Sequence, residues 1–141
     1  MTERVFVDTN VLVYAEDRDA GEKHETARRL VLDLWDRQAG VLSVQVLQEF
    51  YVTVTRKMPR PLSAEAAGAI VDQYLTWSLV ENTGELLQRA IALSRDAGLS
   101  FWDALVVGAA QHADCIALMT EDLSHGQRFG RLEVCNPFRA P

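Results

Sequence analysis

The chain has 141 residues, 48% of them hydrophobic and 24% charged, which suits one soluble domain, residues 1–141, large enough to fold without disulfides or a structural metal. A net charge of −6 argues against simple nucleic-acid binding through a basic surface, but not against an enzyme whose acidic pocket takes a cation. The longest apolar run, Ala104 to Ala110, is too short to cross a bilayer, and Met1-Thr2-Glu3-Arg4 carries no signal-peptide pattern, so a cytoplasmic protein is expected.

Arg4-Val5-Phe6-Val7 predicts a buried strand that ends at Asp8. Val11 to Ala15 predicts a short helix, and Asp17 to Glu22 a polar loop. Lys23 to Gln38 predicts an amphipathic helix with Ala27, Leu30, Val31, Leu34 and Trp35 on one face, ended by Gly40. Val41-Leu42-Ser43 reads as a second strand. Ser43 caps a helix from Val44 to Lys57, with a stripe of Val46, Leu47, Phe50, Tyr51 and Val54. Met58-Pro59-Arg60-Pro61 stops that helix.

Ser63 caps a helix to about Thr76, and Leu79-Val80 is a third strand. Thr83 caps the helix Gly84 to Ala97, which Gly98 closes. Ser100 caps a helix from Phe101 to about His112 that is apolar nearly all round and therefore buried. Cys115 to Met119 is a strand ending at Thr120-Glu121-Asp122, and Leu132-Glu133-Val134 a final, weaker one. Strands separated by helices, with no clear two-residue hairpin, predict an α/β/α sandwich around a mainly parallel sheet of four to five strands. Cys115 and Cys135 lack metal-ligand spacing and are expected as buried, reduced thiols.

In such sheets ligands bind beyond the carboxyl ends of the strands. Asp8 and Asp122 each follow a predicted strand and should share that rim, although either could merely cap a helix or make a turn. Asp103 lies three residues after Ser100, a capping-box spacing, at the mouth of a buried helix. Glu49 falls at the edge of its helix stripe. Glu121 competes with Asp122, but is expected to face solvent. Gathered carboxylates suit Mg²⁺, a hard ion that prefers oxygen and serves phosphoryl chemistry.

The joint pattern resembles PIN-domain nucleases, and within them the VapC-type toxins. Val7-Asp8-Thr9-Asn10-Val11-Leu12-Val13-Tyr14 is similar to the first motif of that family, and Ser43 to Phe50, with Glu49, to the second. Ser100-Phe101-Trp102-Asp103-Ala104 resembles the third, and Leu118 to Gln127 the fourth. The resemblance implies a PIN-like fold and an endoribonuclease dependent on Mg²⁺ or Mn²⁺. It implies an acidic quartet of Asp8, Glu49, Asp103 and Asp122, with the place of Asp122 contested by Glu121. Thr9 would orient Asp8 through its hydroxyl, Asn10 would brace the site, and Thr120 would support Asp122. Water would attack phosphorus in line, leaving a 5′-phosphate and a 3′-hydroxyl. The family also implies homodimers, or larger toxin–antitoxin assemblies, and a small antitoxin that blocks the site.

Arg56, Lys57 and Arg60 form a compact basic patch that either meets RNA phosphates or complements a helix dipole. His125 reads as a solvated loop residue, and Trp35, Trp77 and Trp102 as core rather than base-stacking platforms. Two rival enzyme classes fit poorly. Aspartyl-phosphate phosphatases want D-x-D where this chain has Asp8-Thr9-Asn10, and a receiver domain wants a late lysine, whereas none follows Lys57. A housekeeping RNA-processing nuclease or a catalytically weak binding module stands as the alternative.

Overall fold

A computed structural model describes residues 3–139. The reading of Met1 and Thr2 lies outside it. Among the described residues six strands form one sheet in the order β3-β2-β1-β4-β6-β5. They are β1 (Val5–Val7), β2 (Gly40–Ser43), β3 (Ser78–Val80), β4 (Ala117–Met119), β5 (Arg128–Phe129) and β6 (Leu132–Cys135). All pairings are parallel except β5 with β6. The helices are α1 (Thr9–Glu16), α2 (Glu22–Arg37), α3 (Val44–Arg56), α4 (Ala64–Tyr74), α5 (Gly84–Ala97) and α6 (Phe101–His112), with a single 3-10 turn at Arg18–Ala20.

Crossovers between parallel strands are right-handed. The chain moves from β1 through β2 to β3 in one direction, then returns past them to β4. Helices α1 to α4 therefore cover one face, and α5 with α6 the other. The direction reverses between β1 and β4, which sit side by side with Val7 opposite Met119. At such a reversal the connections that follow neighbouring strands, here α1 after β1 and the loop after β4, diverge and leave a crevice beyond the strand ends. Asp8 is the residue after β1, and Thr120-Glu121-Asp122 follows β4.

The central strands β1 and β2 are short but buried throughout. Phe6, Val7, Val41, Leu42 and Leu118 are all essentially inaccessible. Helix α6 is buried from Ala104 to Ala110, as its apolar sequence demands. Ser43, Ser63, Thr83 and Ser100 each cap the helix predicted for them by accepting a backbone N–H.

Four expectations need correction. The sheet has a sixth strand, because Gly130-Arg131 forms a two-residue hairpin loop between Phe129 and Leu132. Gly130 holds φ +66° there, but a two-residue strand offers no alternation to read. Helix α2 ends on Gln38, a non-glycine residue at φ 53°, not on Gly40. Gly40 instead opens β2, where a Cβ would lie 2.1 Å from the Trp77 ring. Trp102 is not core. It is 63% exposed, because the buried face of α6 begins only at Ala104. Trp77 is buried and Trp35 half-buried, in an aromatic cluster with Tyr74. Finally, Cys115 and Cys135 are both free, but only Cys115 is buried. Burial pushes its thiol up to about 12.

Candidate active site

Asp8 is 7% exposed, an unusual position for a carboxylate. It caps α1: its Oδ1 accepts the Thr9 N–H at 2.7 Å. Its Oδ2 accepts the Thr120 hydroxyl at 2.9 Å and the Asn10 amide at 3.4 Å. Burial raises its pKa to about 6. The bonds from Thr120 and Thr9 pull it down, and the charges of Asp122 and Glu49 push it up further.

Thr120 is completely buried and joins both sides of the crevice. Its hydroxyl gives its one proton to Asp8 and accepts from the Asn10 amide and from the Asp122 N–H, each at 3.1 Å. Both acceptor positions and the donor are thus in use. Asn10 completes the frame. Its Nδ2 reaches Asp122 Oδ2 at 3.1 Å, and its Oδ1 accepts the Glu121 N–H at 3.4 Å. Two sequence-adjacent residues on α1 and three on the β4 loop are therefore tied into one network around Asp8 and Asp122.

Glu49 enters from α3. The Gln45 amide, one helical turn earlier, donates to its Oε1 at 3.1 Å, and the Thr9 hydroxyl donates to the same oxygen at 3.4 Å. Burial raises its pKa, against the Gln45 and Thr9 bonds, and the charges of Asp103 and Asp122 raise it further. Asp103 approaches Glu49 from the first turn of α6. Ser100 Oγ accepts the Asp103 N–H at 3.1 Å. Among the described residues the return bond of a capping box, from the Ser100 N–H to the Asp103 carboxylate, is not made. That carboxylate stays open to the crevice.

The fold thus brings Asp8, Glu49, Asp103 and Asp122 to one rim. It separates the two adjacent acids on the β4 loop. Asp122 turns inward to Asn10, whereas Glu121 does not face solvent as expected. It accepts the Tyr14 hydroxyl at 2.7 Å and pairs with Lys23 at 2.9 Å. Burial would raise the Glu121 pKa, but these partners outweigh it and the net shift is downward. The Thr9 hydroxyl does not orient Asp8 as expected, because it serves Glu49. The backbone N–H of Thr9 and the Thr120 hydroxyl hold Asp8 instead.

The basic patch does not act as a unit. Arg60 forms a forked ion pair with Asp19, with Nε to Oδ2 at 2.9 Å. Arg56 and Lys57 are exposed at the end of α3 and form no ion pair among the described residues. His125 is exposed, and its Nδ1 accepts the Asn136 N–H. Three residues at the site escaped sequence reading: Gln45, Tyr14 and Lys23. Only Gln45 left a signal, as a polar residue one turn before Glu49.

Oxygen is the only donor type offered by the quartet, and oxygen suits Mg²⁺ or Mn²⁺. Among the described residues no three acidic, His or Cys side chains stand close enough to hold one ion directly. Mg²⁺ keeps several waters and is commonly bound by one or two carboxylates, so a loosely spaced quartet still fits it. Burial above all, with a smaller push from the neighbouring carboxylates, raises the pKa values of Asp8 and Glu49.

Comparison with known proteins decides the family. The PIN domain matches residues 5–128. The chain belongs to the PIN-domain family. It is 27% identical over 139 residues to ribonuclease VapC24 of Mycobacterium tuberculosis, in each of two strains, covering 93% of this chain and 94% of the relative. Among the solved structures that share the fold are three described by their partners or activity. A toxin–antitoxin complex from Klebsiella pneumoniae matches with TM-score 0.70 and 19% identity, over 96% of this chain and 99% of the other. VapBC2 from Rickettsia felis, bound to a promoter DNA fragment, matches at 0.62 and 18%, over 92% and 96%. Mycobacterium tuberculosis VapC20, a toxin that cleaves the sarcin–ricin loop, matches at 0.61 and 22%, over 81% and 86%. The PIN family is thus related here to VapC ribonuclease toxins. No helix among the described residues is long and apolar enough to cross a membrane.

Proposed function

We propose that this PIN domain is a metal-dependent endoribonuclease that acts in the cytoplasm as the toxin of a toxin–antitoxin pair. The observation that carries the proposal is the convergence of Asp8, Glu49, Asp103 and Asp122 on the rim where the sheet reverses direction. Relatedness to VapC24 and the likeness to toxin–antitoxin complexes support the toxin role. The same likeness supports an antitoxin partner, and the proposal extends to a homodimer or larger toxin–antitoxin assembly.

In this reading Asp8, Asp122, Asp103 and Glu49 would hold Mg²⁺ or Mn²⁺. The chemistry supplied by the bound cation is Lewis acidity toward the phosphoryl oxygens and easier deprotonation of water at neutral pH. The residues of the chain do the rest. Thr120 and Asn10 fix the orientation of Asp8 and Asp122. Glu49 has one oxygen held by Gln45 and Thr9, and its other oxygen would take a proton from the attacking water. Attack on phosphorus forms the new P–O bond and breaks the bond to the 3′-oxygen. That oxygen leaves as a hydroxyl, and the 5′-phosphate remains on the downstream fragment.

Purified protein should cleave RNA with Mg²⁺ or Mn²⁺ and stop with EDTA. Cleavage that survives both Asp8→Asn and Asp103→Asn would sink the nuclease reading. Induced expression should arrest growth unless the neighbouring antitoxin is co-expressed. An active nuclease that is harmless when expressed would instead be a housekeeping RNA-processing enzyme.

A further inference from the structure

A second polar cluster stands directly behind the acidic rim, and its members take no part in the proposed chemistry. Glu121 uses both carboxylate oxygens there. Oε1 accepts the Tyr14 hydroxyl at 2.7 Å, and Oε2 accepts Lys23 Nζ at 2.9 Å. Lys23 also donates to the Tyr14 oxygen at 3.4 Å, so the three groups close a ring of hydrogen bonds. The ammonium sits 4.9 Å from the centre of the Tyr14 ring and 5.7 Å from that of Phe138. Those two rings meet edge to face at 5.1 Å. The cluster joins α1, α2, the β4 loop and the C-terminal segment, which are remote in sequence.

Glu121 is the neighbour of Asp122, and its own N–H is bonded to Asn10. The three-residue segment Thr120-Glu121-Asp122 is therefore held inward by Asn10 and outward by Lys23 and Tyr14. A carboxylate freed at position 121 would be one peptide unit from a crowded anionic site. It could swing toward the rim and compete with Asp122 for a cation. A fork of hydroxyl and ammonium donors prevents that, because charge-assisted bonds of this kind are the strong ones. Two rings facing the ammonium add attraction from one side.

We propose that Lys23 and Tyr14 are positioning residues. They latch Glu121 away from the rim, so that of the two adjacent acids only Asp122 joins Asp8, Glu49 and Asp103 in facing the divalent cation. The inference rests on the nuclease reading of the rim and assigns the cluster a role in cation affinity.

The test is Mn²⁺ binding to the full chain by calorimetry, alongside RNA cleavage as a function of Mn²⁺ concentration. Lys23→Met and Tyr14→Phe should each weaken Mn²⁺ binding, Lys23→Met by about 10-fold, the usual effect of losing a group that orients a metal ligand. Cleavage should recover much of its rate at saturating Mn²⁺. Lys23→Arg should restore affinity. In a Glu121→Gln background the Lys23→Met effect should vanish, since no charged side chain remains to be restrained. Unchanged Mn²⁺ affinity in Lys23→Met and Tyr14→Phe overturns the latch. So does a Lys23→Met loss that persists undiminished with Glu121→Gln, because Lys23 would then act on RNA or on the fold directly. A wild-type protein that neither binds Mn²⁺ nor cleaves RNA removes the nuclease reading, and the latch with it.

Discussion

The two halves of the acidic rim are built differently. Asp8 and Asp122 stand at the carboxyl ends of adjacent strands, and a continuous network through Thr120 and Asn10 fixes them. Glu49 and Asp103 stand on helices from opposite faces of the sheet. Glu49 is held by two weaker neutral donors, and no side-chain hydrogen bond to the Asp103 carboxylate forms among the described residues. The strand half is braced around the buried Asp8, whereas Glu49 and Asp103 are held by fewer bonds; Asp122 and Glu49 are both exposed. A site that must grip a cation and still admit a long polymer gains from that asymmetry. The braced half sets the geometry, and the less constrained half leaves its carboxylates free to adjust to the chain that is cut.

The largest effects should come from the quartet itself, and they should separate the halves. Asp8→Asn and Asp103→Asn should each lower RNA cleavage by more than about 100-fold, beyond the usual cost of losing an outer-shell partner. Their stabilities should diverge. Asp103→Asn should leave the metal-free melting point nearly unchanged, because only its backbone N–H is engaged by Ser100. Asp8→Asn replaces a buried carboxylate and should shift it visibly. Equal melting behaviour of the two variants would break the comparison.

The sign of the shift at Asp8 depends on pH. Its pKa of about 6 in the folded chain lies above the unfolded value near 3.8. The folded state therefore holds the proton more tightly. The stability this contributes is complete below pH ~4 and is lost as pH rises through about 6. Two pKa units correspond to roughly 3 kcal/mol. Chemical denaturation of metal-free protein between pH 4 and 7 should show this decline, and Asp8→Asn should flatten it. Mg²⁺ should stabilise most above pH 6, where the carboxylate is ionised. A decline of the same size in Asp8→Asn would assign it to other groups.

Thr120 tests the wiring. Thr120→Val removes one hydroxyl that serves Asp8, Asn10 and Asp122 together, while nearly preserving shape. Buried partners left unsatisfied cost about 1–3 kcal/mol. Urea unfolding should show that loss, and cleavage should fall by about 10- to 100-fold. Thr120→Ser should be mild on both measures. The corresponding change in the helix half, Gln45→Leu, should cost less, since Glu49 is nearer water and keeps Thr9.

The same asymmetry explains what the sequence made legible. The strand half follows from two short apolar runs, each ending in an acid, and a parallel sheet places such residues on one rim by rule. The caps at Ser43, Ser63, Thr83 and Ser100 were equally plain, because capping is local. Glu49 and Asp103 needed the family resemblance, since a wheel or a capping spacing cannot say which helices meet. The partners of Glu121 were invisible. Tyr14, Lys23 and Phe138 converge only after α1, α2 and the C-terminal segment have packed. Trp102 misled because a helix apolar all round gives no phase from which to tell its exposed first turn.

The smallest effect concerns the basic patch, and it bears on the helix half. Lys57 lines a shallow hollow beside Glu49, together with Gln48, Val52 and Thr53. Its ammonium is exposed and pairs with no carboxylate among the described residues. Arg60, three residues on, is already engaged by Asp19, and such exposed pairs contribute little to stability. If RNA enters over the helix half, its phosphates meet Lys57 before they meet Arg60. Fluorescence anisotropy with a short RNA and the inactive Asp8→Asn protein should show a loss of about 3- to 10-fold for Lys57→Ala, roughly one phosphate contact, with a shallower salt dependence. Arg60→Ala should leave affinity and salt dependence nearly unchanged. The reverse ranking would mean that RNA approaches from the Asp19 side, over α1 and the 3-10 turn. The strand half would then be the side of entry.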